Sequence, residues 1–159
     1  MTQKTFANLL KAAILLAALC CVFVYAVYVP AIAGEARAAY EELSALYVPA
    51  LIFIELTGVP VLVAFVLAWM IARDIGRDQS FSRVNAGRMK TVSILALADV
   101  LYFLVGVSVF WFRGAASGPE FILVILVASA GMIVAVCAGA LSHLILKAAK
   151  LREENDLTV

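Results

Sequence analysis

Four long apolar runs, separated by short polar stretches, dominate the pattern of residues along the chain. A helix needs about 20 mostly apolar residues to cross the hydrocarbon core of a bilayer, and each run meets that length. The runs cover residues 9–29, 48–72, 91–112 and 121–146. This pattern predicts an all-α integral membrane protein, a four-helix bundle of up-down-up-down topology that occupies residues 1–159 as one domain.

The composition of the chain agrees with a membrane protein. Hydrophobic residues make up 65% of the chain and charged residues 14%, against roughly 45–50% and about 25% in an ordinary soluble domain. The spans leave no polar segment long enough for a separate soluble domain, so a function has to lie in the helices, the short loops or an attached partner. The formal net charge is only +1, and we expect no direct binding of nucleic acid.

Lysine and arginine residues are concentrated on one side of the predicted membrane. Positively charged residues near the ends of spans are retained on the cytoplasmic side. One side carries Lys4, Lys11, Arg73, Arg77, Arg83, Arg88, Lys90, Lys147, Lys150 and Arg152, whereas the other carries Arg37 and Arg113. We therefore expect both termini and the loop at residues 73–90 to lie in the cytoplasm, and the loop at residues 30–47 to lie outside.

The first span and the loop after it can each be interpreted in two ways. Ala31-Ile32-Ala33 before Gly34 is similar to the cleavage site of a signal peptide, but the apolar stretch is long for a cleaved signal, and we expect the span to be retained. The loop predicts either a short helix on the membrane surface or a solvated connector. Four of its positions recur with helical spacing: Ala36, Tyr40, Leu43 and Tyr47.

A stripe of small residues along the fourth span predicts a close helix contact. Helices in lipid associate through small residues that let two backbones approach. The stripe contains Ala128, Gly131, Ala135, Ala138, Gly139 and Ser142, and the first span offers a matching stripe of Ala13, Ala17, Cys20 and Val24. We expect the first and fourth spans to pack along these faces. The alternative is that the stripe of the fourth span joins two copies of the chain in a homo-oligomer.

Two carboxylic acids, Glu55 and Asp99, lie inside apolar spans, where a bare charge is unfavourable. At 1.5 Å per residue, Glu55 lies about 10 Å below the outer end of its helix, and Asp99 lies about 8 Å from it in depth, nearer mid-membrane. Pro60 weakens the helix beyond Glu55, and Tyr102 follows Asp99 closely. One hypothesis is that these four residues line a ligand or proton pathway. The alternative is that each acid is a protonated, hydrogen-bonded structural group.

The sequence contains no pattern typical of catalytic or metal chemistry. Cys20, Cys21 and Cys137 lack the Cys-x-x-Cys spacing of a redox or metal site, and we interpret them as small buried hydrophobic residues. His143 is the only histidine, so one chain cannot supply two axial histidines to a haem. We expect no catalytic residue, no metal ligand and no cofactor, and therefore a protein that is not an enzyme.

The loop between the second and third spans contains the most specific motif in the chain. Residues 78–85 read Asp-Gln-Ser-Phe-Ser-Arg-Val-Asn, and Arg88 and Lys90 follow. Gly76 is expected to end the second helix. Ser82 is placed to cap the third helix, which is expected to begin near Arg83.

This turn, together with the four spans, resembles the small bacterial membrane proteins of domain-of-unknown-function family 2975, in which a polar-Phe-Ser-x-x-Asn turn enters the third helix. The resemblance implies a bacterial plasma-membrane protein with no established activity, often considered beside small helix-turn-helix regulators. It also implies that Phe81, Ser82 and Asn85 either form the turn or contact a partner. It carries over no catalytic residue.

Two functions follow from these patterns. The first is a non-enzymatic regulatory or partner-binding module in the lipid bilayer. Its basic cytoplasmic loop would contact a cytoplasmic regulatory protein through Phe81, Ser82, Arg83, Asn85 and Arg88. The alternative is a small transporter or proton-coupled permease that uses Glu55 and Asp99. The basic residues of the loop are also explained by the orientation of the spans alone.

Overall fold

Residues 2–39, 41–113 and 118–156 are described in the computed structural model of the chain, and nearly all of them are helical. The segments are α1 (Gln3–Phe23), a π-helical turn (Val24–Tyr28), α2 (Val29–Ala39), a 3₁₀ helix (Glu41–Leu46), α3 (Tyr47–Ile75), α4 (Arg83–Phe112) and α5 (Gly118–Asp156). Four helices are long and apolar enough to cross a membrane: Gln3–Ala38, Ser44–Ile75, Arg83–Phe112 and Phe121–Asn155. The predictions of an all-α chain and of four helices long and apolar enough to span a membrane are therefore confirmed.

The first spanning helix is longer than its apolar run, because α1 continues through the π turn into α2. Pro30 has no backbone N–H, and its ring crowds the carbonyl four residues earlier, so a proline normally bends or ends a helix. The wider π turn lies directly before Pro30, and the amide of Val29 donates to the carbonyl of Val24. The helix therefore passes Pro30, and the first part of the predicted loop at residues 30–47 belongs to it. Tyr40 of the predicted surface helix lies outside the described residues.

The spanning helices pack in chain order, with α1 against α3, α3 against α4, and α4 against α5, the most extensive contact in the described part of the chain. At one end of the molecule Ala7 lies against Gly76, where an added Cβ would lie 3.1 Å from the Cβ of Ala7. Buried positions are mostly alanines, such as Ala72 and Ala86, whereas large apolar side chains point outward. This distribution is typical of helices whose solvent is lipid.

The small-residue stripe of α5 packs against α4, and the prediction that it packs against the first span is wrong. Ser93 Oγ on α4 donates to the carbonyl of Ala135 at 2.7 Å, and Ser142 Oγ on α5 donates to the carbonyl of Ala86 at 2.8 Å. Gly139 leaves room for Ser93, since an added Cβ would lie 3.1 Å from its Oγ. A short connection makes α4 and α5 neighbours, and each serine finds its acceptor on the facing helix.

Gly131 and Ala138 complete this contact, so the face predicted for a homo-oligomer is already covered within one chain. A Cβ at Gly131 would lie 2.4 Å from Cγ2 of Val100 on α4. Ala138 and Val100 are both buried. The part of the stripe from Gly131 to Ser142 is therefore not available to a second copy of the chain.

Candidate functional site

A cavity of about 800 Å³ lies between the first spanning helix and α5, which do not pack extensively against each other. Its walls come from the π turn, α2, α3, α4 and α5, and they are mostly apolar. The polar side chains in the walls are Tyr25, Tyr28, Arg37, Tyr47, Thr57, Asp99 and Trp111. Ligand pockets are commonly about 300–1,000 Å³ in volume, apolar, and provided with a few polar groups. The cavity therefore has the size and composition of a ligand site.

Two hydroxyl groups near the deep end of the cavity form a directed hydrogen-bond chain. Oγ1 of Thr57 donates to the carbonyl of Ile54 at 2.7 Å and lies 2.8 Å from the hydroxyl oxygen of Tyr25. A threonine hydroxyl has one hydrogen, so Tyr25 must be the donor in the second bond. The phenolic proton of Tyr25 is thus committed to Thr57, and the Tyr25 oxygen can offer a ligand only acceptor capacity.

Gly58 determines how closely Tyr25 approaches α3. A Cβ added at Gly58 would lie 3.2–3.3 Å from three ring carbons of Tyr25, closer than ordinary van der Waals contact. Because Gly58 has no side chain, the ring can lie against the backbone of α3 with its hydroxyl at Thr57. The π turn supplies Tyr25 from the facing helix.

Asp99 lies at the deep end of the cavity. It is half-buried, and among the described residues no donor lies within hydrogen-bonding distance of its carboxylate. Phe53 on α3 lies between Tyr102 and Gly106 of the antiparallel α4. Counting along both helices from that contact places Asp99 about 5 Å from Glu55 in depth. This separation is smaller than the predicted one.

Aromatic rings line the cavity above Asp99. The ring centroid of Phe53 lies 6.3 Å from that of Phe103 and 5.6 Å from that of Phe110, and all three rings belong to the cavity wall. Tyr25 adds a fourth ring from the opposite side. The electron-rich faces of such rings attract cations.

Arg37 and Tyr47 mark the other end of the cavity, which we call its mouth. The guanidinium carbon of Arg37 lies 5.3 Å from the ring centroid of Tyr47. Tyr47 and Thr57 are ten residues apart on α3, so the mouth and the deep end are separated by about 15 Å. The two charged groups of the cavity wall, Arg37 and Asp99, therefore lie at opposite ends.

Glu55 lines a separate, smaller pocket of about 230 Å³ together with Cys21, Gly58 and Tyr25. Its Oε1 is buried and has no hydrogen-bond partner among the described residues. Glu55 and Asp99 therefore do not share a cavity. Tyr25 borders both spaces and lies within Coulombic range of both acids.

The structure does not bring Tyr102 and Pro60, the other predicted pathway residues, to either space. The hydroxyl of Tyr102 donates to the carbonyl of Phe53 at 3.4 Å, and the two rings lie 5.0 Å apart. Pro60 lies inside α3, which continues past it to Ile75. Tyr25 is not among the predicted site residues, because a tyrosine near the end of a span is equally typical of the headgroup region.

Buried polar groups hold the turn between α3 and α4. Asn85 is fully buried, and its Nδ2 donates to the carbonyls of Gln79 at 3.0 Å and Ser80 at 3.4 Å. Its Oδ1 accepts from Arg88 at 2.7 Å, and Arg88 also donates to Asp74. Asn85 and Arg88, two of the predicted partner contacts, therefore lie inside the turn rather than facing a partner.

The other predicted partner contacts lie around the start of α4. Ser82 caps α4 as predicted, since its Oγ accepts from the backbone amide of Asn85 at 3.2 Å. Arg83, the first residue of α4, forms a two-pronged ion pair with Glu153 of α5 at 2.6–3.2 Å. Phe81 is 55% exposed. Among the five predicted contacts, Phe81 alone presents an apolar side chain outward.

Within residues 2–39, 41–113 and 118–156, no group of three or more His, Cys, Asp or Glu side chains could hold a metal ion. The chemistry of the described site is therefore that of one carboxylate, two linked hydroxyls and aromatic rings. It can bind and orient a ligand through these groups.

These features define a helical membrane protein with a cavity between its spans. The chain belongs to the family of proteins of unknown function DUF2975, whose sequence profile matches residues 31–159. It is similar to the uncharacterized membrane protein YoaS of Bacillus subtilis (strain 168), with 27% identity over 143 residues, which cover 87% of this chain and 86% of YoaS. No solved structure matches the chain. The resemblance inferred from the turn and the four spans is thus confirmed.

Proposed function

We propose that the protein is a non-enzymatic membrane protein that binds a lipophilic small molecule in the cavity between the first spanning helix and α5. The proposal places the chain in a bacterial plasma membrane, with both termini and the α3–α4 turn in the cytoplasm and the mouth at Arg37 outside. The observation that carries the proposal is the cavity of about 800 Å³ that ends at Asp99. An acid at membrane depth that faces a cavity is typical of a ligand or ion site.

The surroundings of Asp99 argue against a purely structural role for this acid. Polar side chains that serve packing in this protein bond to a neighbouring backbone, as Thr57, Ser93 and Ser142 do with carbonyl oxygens. Asp99 has no such bond among the described residues and faces the cavity instead. A carboxyl group at membrane depth without a partner is unfavourable, so the presence of Asp99 at the cavity supports a function that supplies the partner.

Binding of the neutral fluorescent dye 1-aminoanthracene to the protein in phosphatidylcholine nanodiscs tests the proposal. We expect saturable binding, and loss of it in Ala128→Phe, because the new ring would fill the cavity from α5. Ala130→Phe is the matched control, since Ala130 is exposed on the same helix. Dye uptake that does not saturate, or equal binding by the two variants, would contradict the proposal.

Proton-coupled transport is a second candidate function, favoured by the position of Tyr25 between the two acids. In pyranine-loaded proteoliposomes, Glu55→Gln and Asp99→Asn are each expected to abolish proton flux while expression and folding remain normal. Glu35→Gln, at an exposed position, serves as the control. Normal flux in both variants would remove this candidate.

The regulatory alternative now rests on fewer residues, because Arg83, Asn85 and Arg88 are bonded within the chain. Its support is Phe81, which is exposed on a turn held by buried polar groups. A photo-crosslinker at Phe81 is expected to form an adduct with one identified cytoplasmic regulator that the same crosslinker at the lipid-facing Leu16 does not form. Identical adducts at both positions would count against this alternative.

A further inference from the structure

We propose that the cavity selects a ligand with a protonated amine on a flat aromatic body, and that Asp99 is the group that binds the amine. This inference rests on the proposed binding function and deepens it by naming the class of ligand. It stands on the balance of donors and acceptors at the deep end of the cavity, on the rings above it and on the position of Arg37.

When Asp99 is ionised, the deep end of the cavity offers acceptors and no free donor among the described residues. The hydrogen of Thr57 is used by the carbonyl of Ile54, and the hydrogen of Tyr25 is used by Thr57. The carboxylate of Asp99 accepts no hydrogen bond from residues 2–39, 41–113 or 118–156. A ligand that satisfies this end must therefore bring N–H or O–H donors of its own.

An ionised Asp99 favours a cation over a neutral donor. A carboxylate in apolar surroundings is unfavourable unless an opposite charge lies next to it. Hydrogen bonds between an ammonium group and a carboxylate are about twice as strong as those between neutral groups. A protonated amine at Asp99 supplies both the donors and the compensating charge.

The rings above Asp99 favour an aromatic cation in particular. Phe53, Phe103 and Tyr25 line the cavity beside the acid. Their faces attract a cation, and a flat aromatic body can stack against them. An alkyl body of the same length would gain contact area from these rings but no stacking.

Arg37 disfavours the opposite arrangement, in which the cation stays at the mouth. Its guanidinium already lies over the ring of Tyr47, about 15 Å from the level of Thr57. A cationic group at the mouth would be repelled, whereas the same group at Asp99 is attracted. A flat ligand therefore has one favoured orientation in the cavity, with the amine at Asp99.

The experiment compares two dyes of similar shape, each made of three fused rings with one amino group. 9-Aminoacridine carries a positive charge at neutral pH, whereas 1-aminoanthracene is neutral. Both dyes are titrated against the protein in zwitterionic phosphatidylcholine nanodiscs. The part of the dye binding that is lost in Ala128→Phe is counted as binding in the cavity. We expect 9-aminoacridine to bind about tenfold more tightly than 1-aminoanthracene.

Two substitutions assign this preference to Asp99. In Asp99→Asn, the dissociation constants of the two dyes are expected to differ by no more than about threefold. Continued binding of 1-aminoanthracene would also show that the variant folds. Glu55→Gln, at the acid outside the cavity, is expected to keep the full preference. If Asp99→Asn does not fold, Asp99→Glu takes its place. Asp99→Glu keeps the carboxylate and is expected to keep the preference for 9-aminoacridine. Loss of that preference in Asp99→Glu would overturn the inference.

The outcomes separate this inference from the proposed function. Saturable binding of both dyes with equal affinity overturns the selection of an amine and leaves the binding function intact. A preference that survives Asp99→Asn also overturns the role of Asp99. Absence of saturable binding by either dye overturns the proposed function, and the inference fails with it.

Discussion

Arg88 on α4 lies 2.5 Å from Asp74 on α3, measured from Nη1 to Oδ2, with the two side chains only 14% and 12% exposed. The same nitrogen lies 2.7 Å from Oδ1 of Asn85, whose amide group holds the carbonyls of the turn. One guanidinium therefore connects the end of α3, the turn and the start of α4. A buried ion pair of this kind is costly to break from one side, because Asp74 would keep only the more exposed Arg73, at 3.6 Å, as a cationic neighbour.

Arg88→Ala is expected to lower the free energy of unfolding by about 3 kcal/mol, because it leaves Asp74 and Asn85 without their shared donor. Titration of the reconstituted protein with sodium dodecyl sulfate, followed by circular dichroism, measures this change. Arg77→Ala on the exposed part of the same turn is the control and is expected to have little effect. The double variant Asp74→Leu/Arg88→Met is expected to recover much of the loss; a double variant as unstable as Arg88→Ala would contradict the role of the pair.

Gly106→Ala is expected to destabilise the contact between α3 and α4. A Cβ at Gly106 would lie 1.9 Å from the ring of Phe53, so the ring or the helix has to move. Overpacking of this kind costs about 1–3 kcal/mol. Gly87→Ala on the same helix is the matched control, since nothing lies within 4 Å of an added Cβ there, and alanine favours a helix by about 0.5–1 kcal/mol. Equal unfolding free energies for the two variants would show that Phe53 does not occupy the space at Gly106.

Thr57→Val is expected to cost more stability than Tyr25→Phe, although each removes one hydroxyl. Without Thr57, the hydroxyl of Tyr25 loses its acceptor at the border of two apolar spaces, at a cost of about 1–3 kcal/mol. Without the Tyr25 hydroxyl, Thr57 still donates to Ile54, and the cost is about 1 kcal/mol. Thermal unfolding of both variants in the same detergent measures the difference. The reverse order of stability would contradict this direction of the hydrogen-bond chain.

The expected orientation of the chain can be tested by labelling of single cysteines. After replacement of Cys20, Cys21 and Cys137 by alanine, a membrane-impermeant maleimide is expected to label Glu35→Cys in intact cells. Arg77→Cys is expected to react only after permeabilisation, because positively charged loops stay in the cytoplasm. Both positions are exposed in the structure, so access to them depends on the side of the membrane. The reverse pattern would place the mouth of the cavity at the cytoplasmic side.

The spans and the turn were predictable because their causes are local. Bilayer thickness sets the length of an apolar run. The hydroxyl of Ser82 caps α4 by accepting from the backbone amide of Asn85, three residues further along the chain. The partner of the small-residue stripe was not predictable in the same way. Small residues occur on more than one helix, and the bonds that select α4, from Ser93 and Ser142, join residues far apart in the chain.

The site was predictable only in part. Asp99 stands out in the sequence, because an acid in an apolar run requires an explanation. That Glu55 faces a different space depends on the ring of Tyr25, which a hydropathy pattern does not distinguish from any other tyrosine near a span end. The position of that ring depends in turn on Gly58, a residue whose contribution is the absence of a side chain.

The π turn at Val24–Tyr28 holds one residue more than an α-helical turn of the same height. Since successive residues are about 100° apart around an α-helix, that surplus residue changes the angular phase of everything beyond it. Shortening Val24–Tyr28 by a single residue would swing Arg37 away from the mouth and leave Lys11 beside Trp69 at the other end. The rotation of α2 about the helix axis relative to α1 is therefore set by the number of residues in the π turn rather than by a contact between side chains.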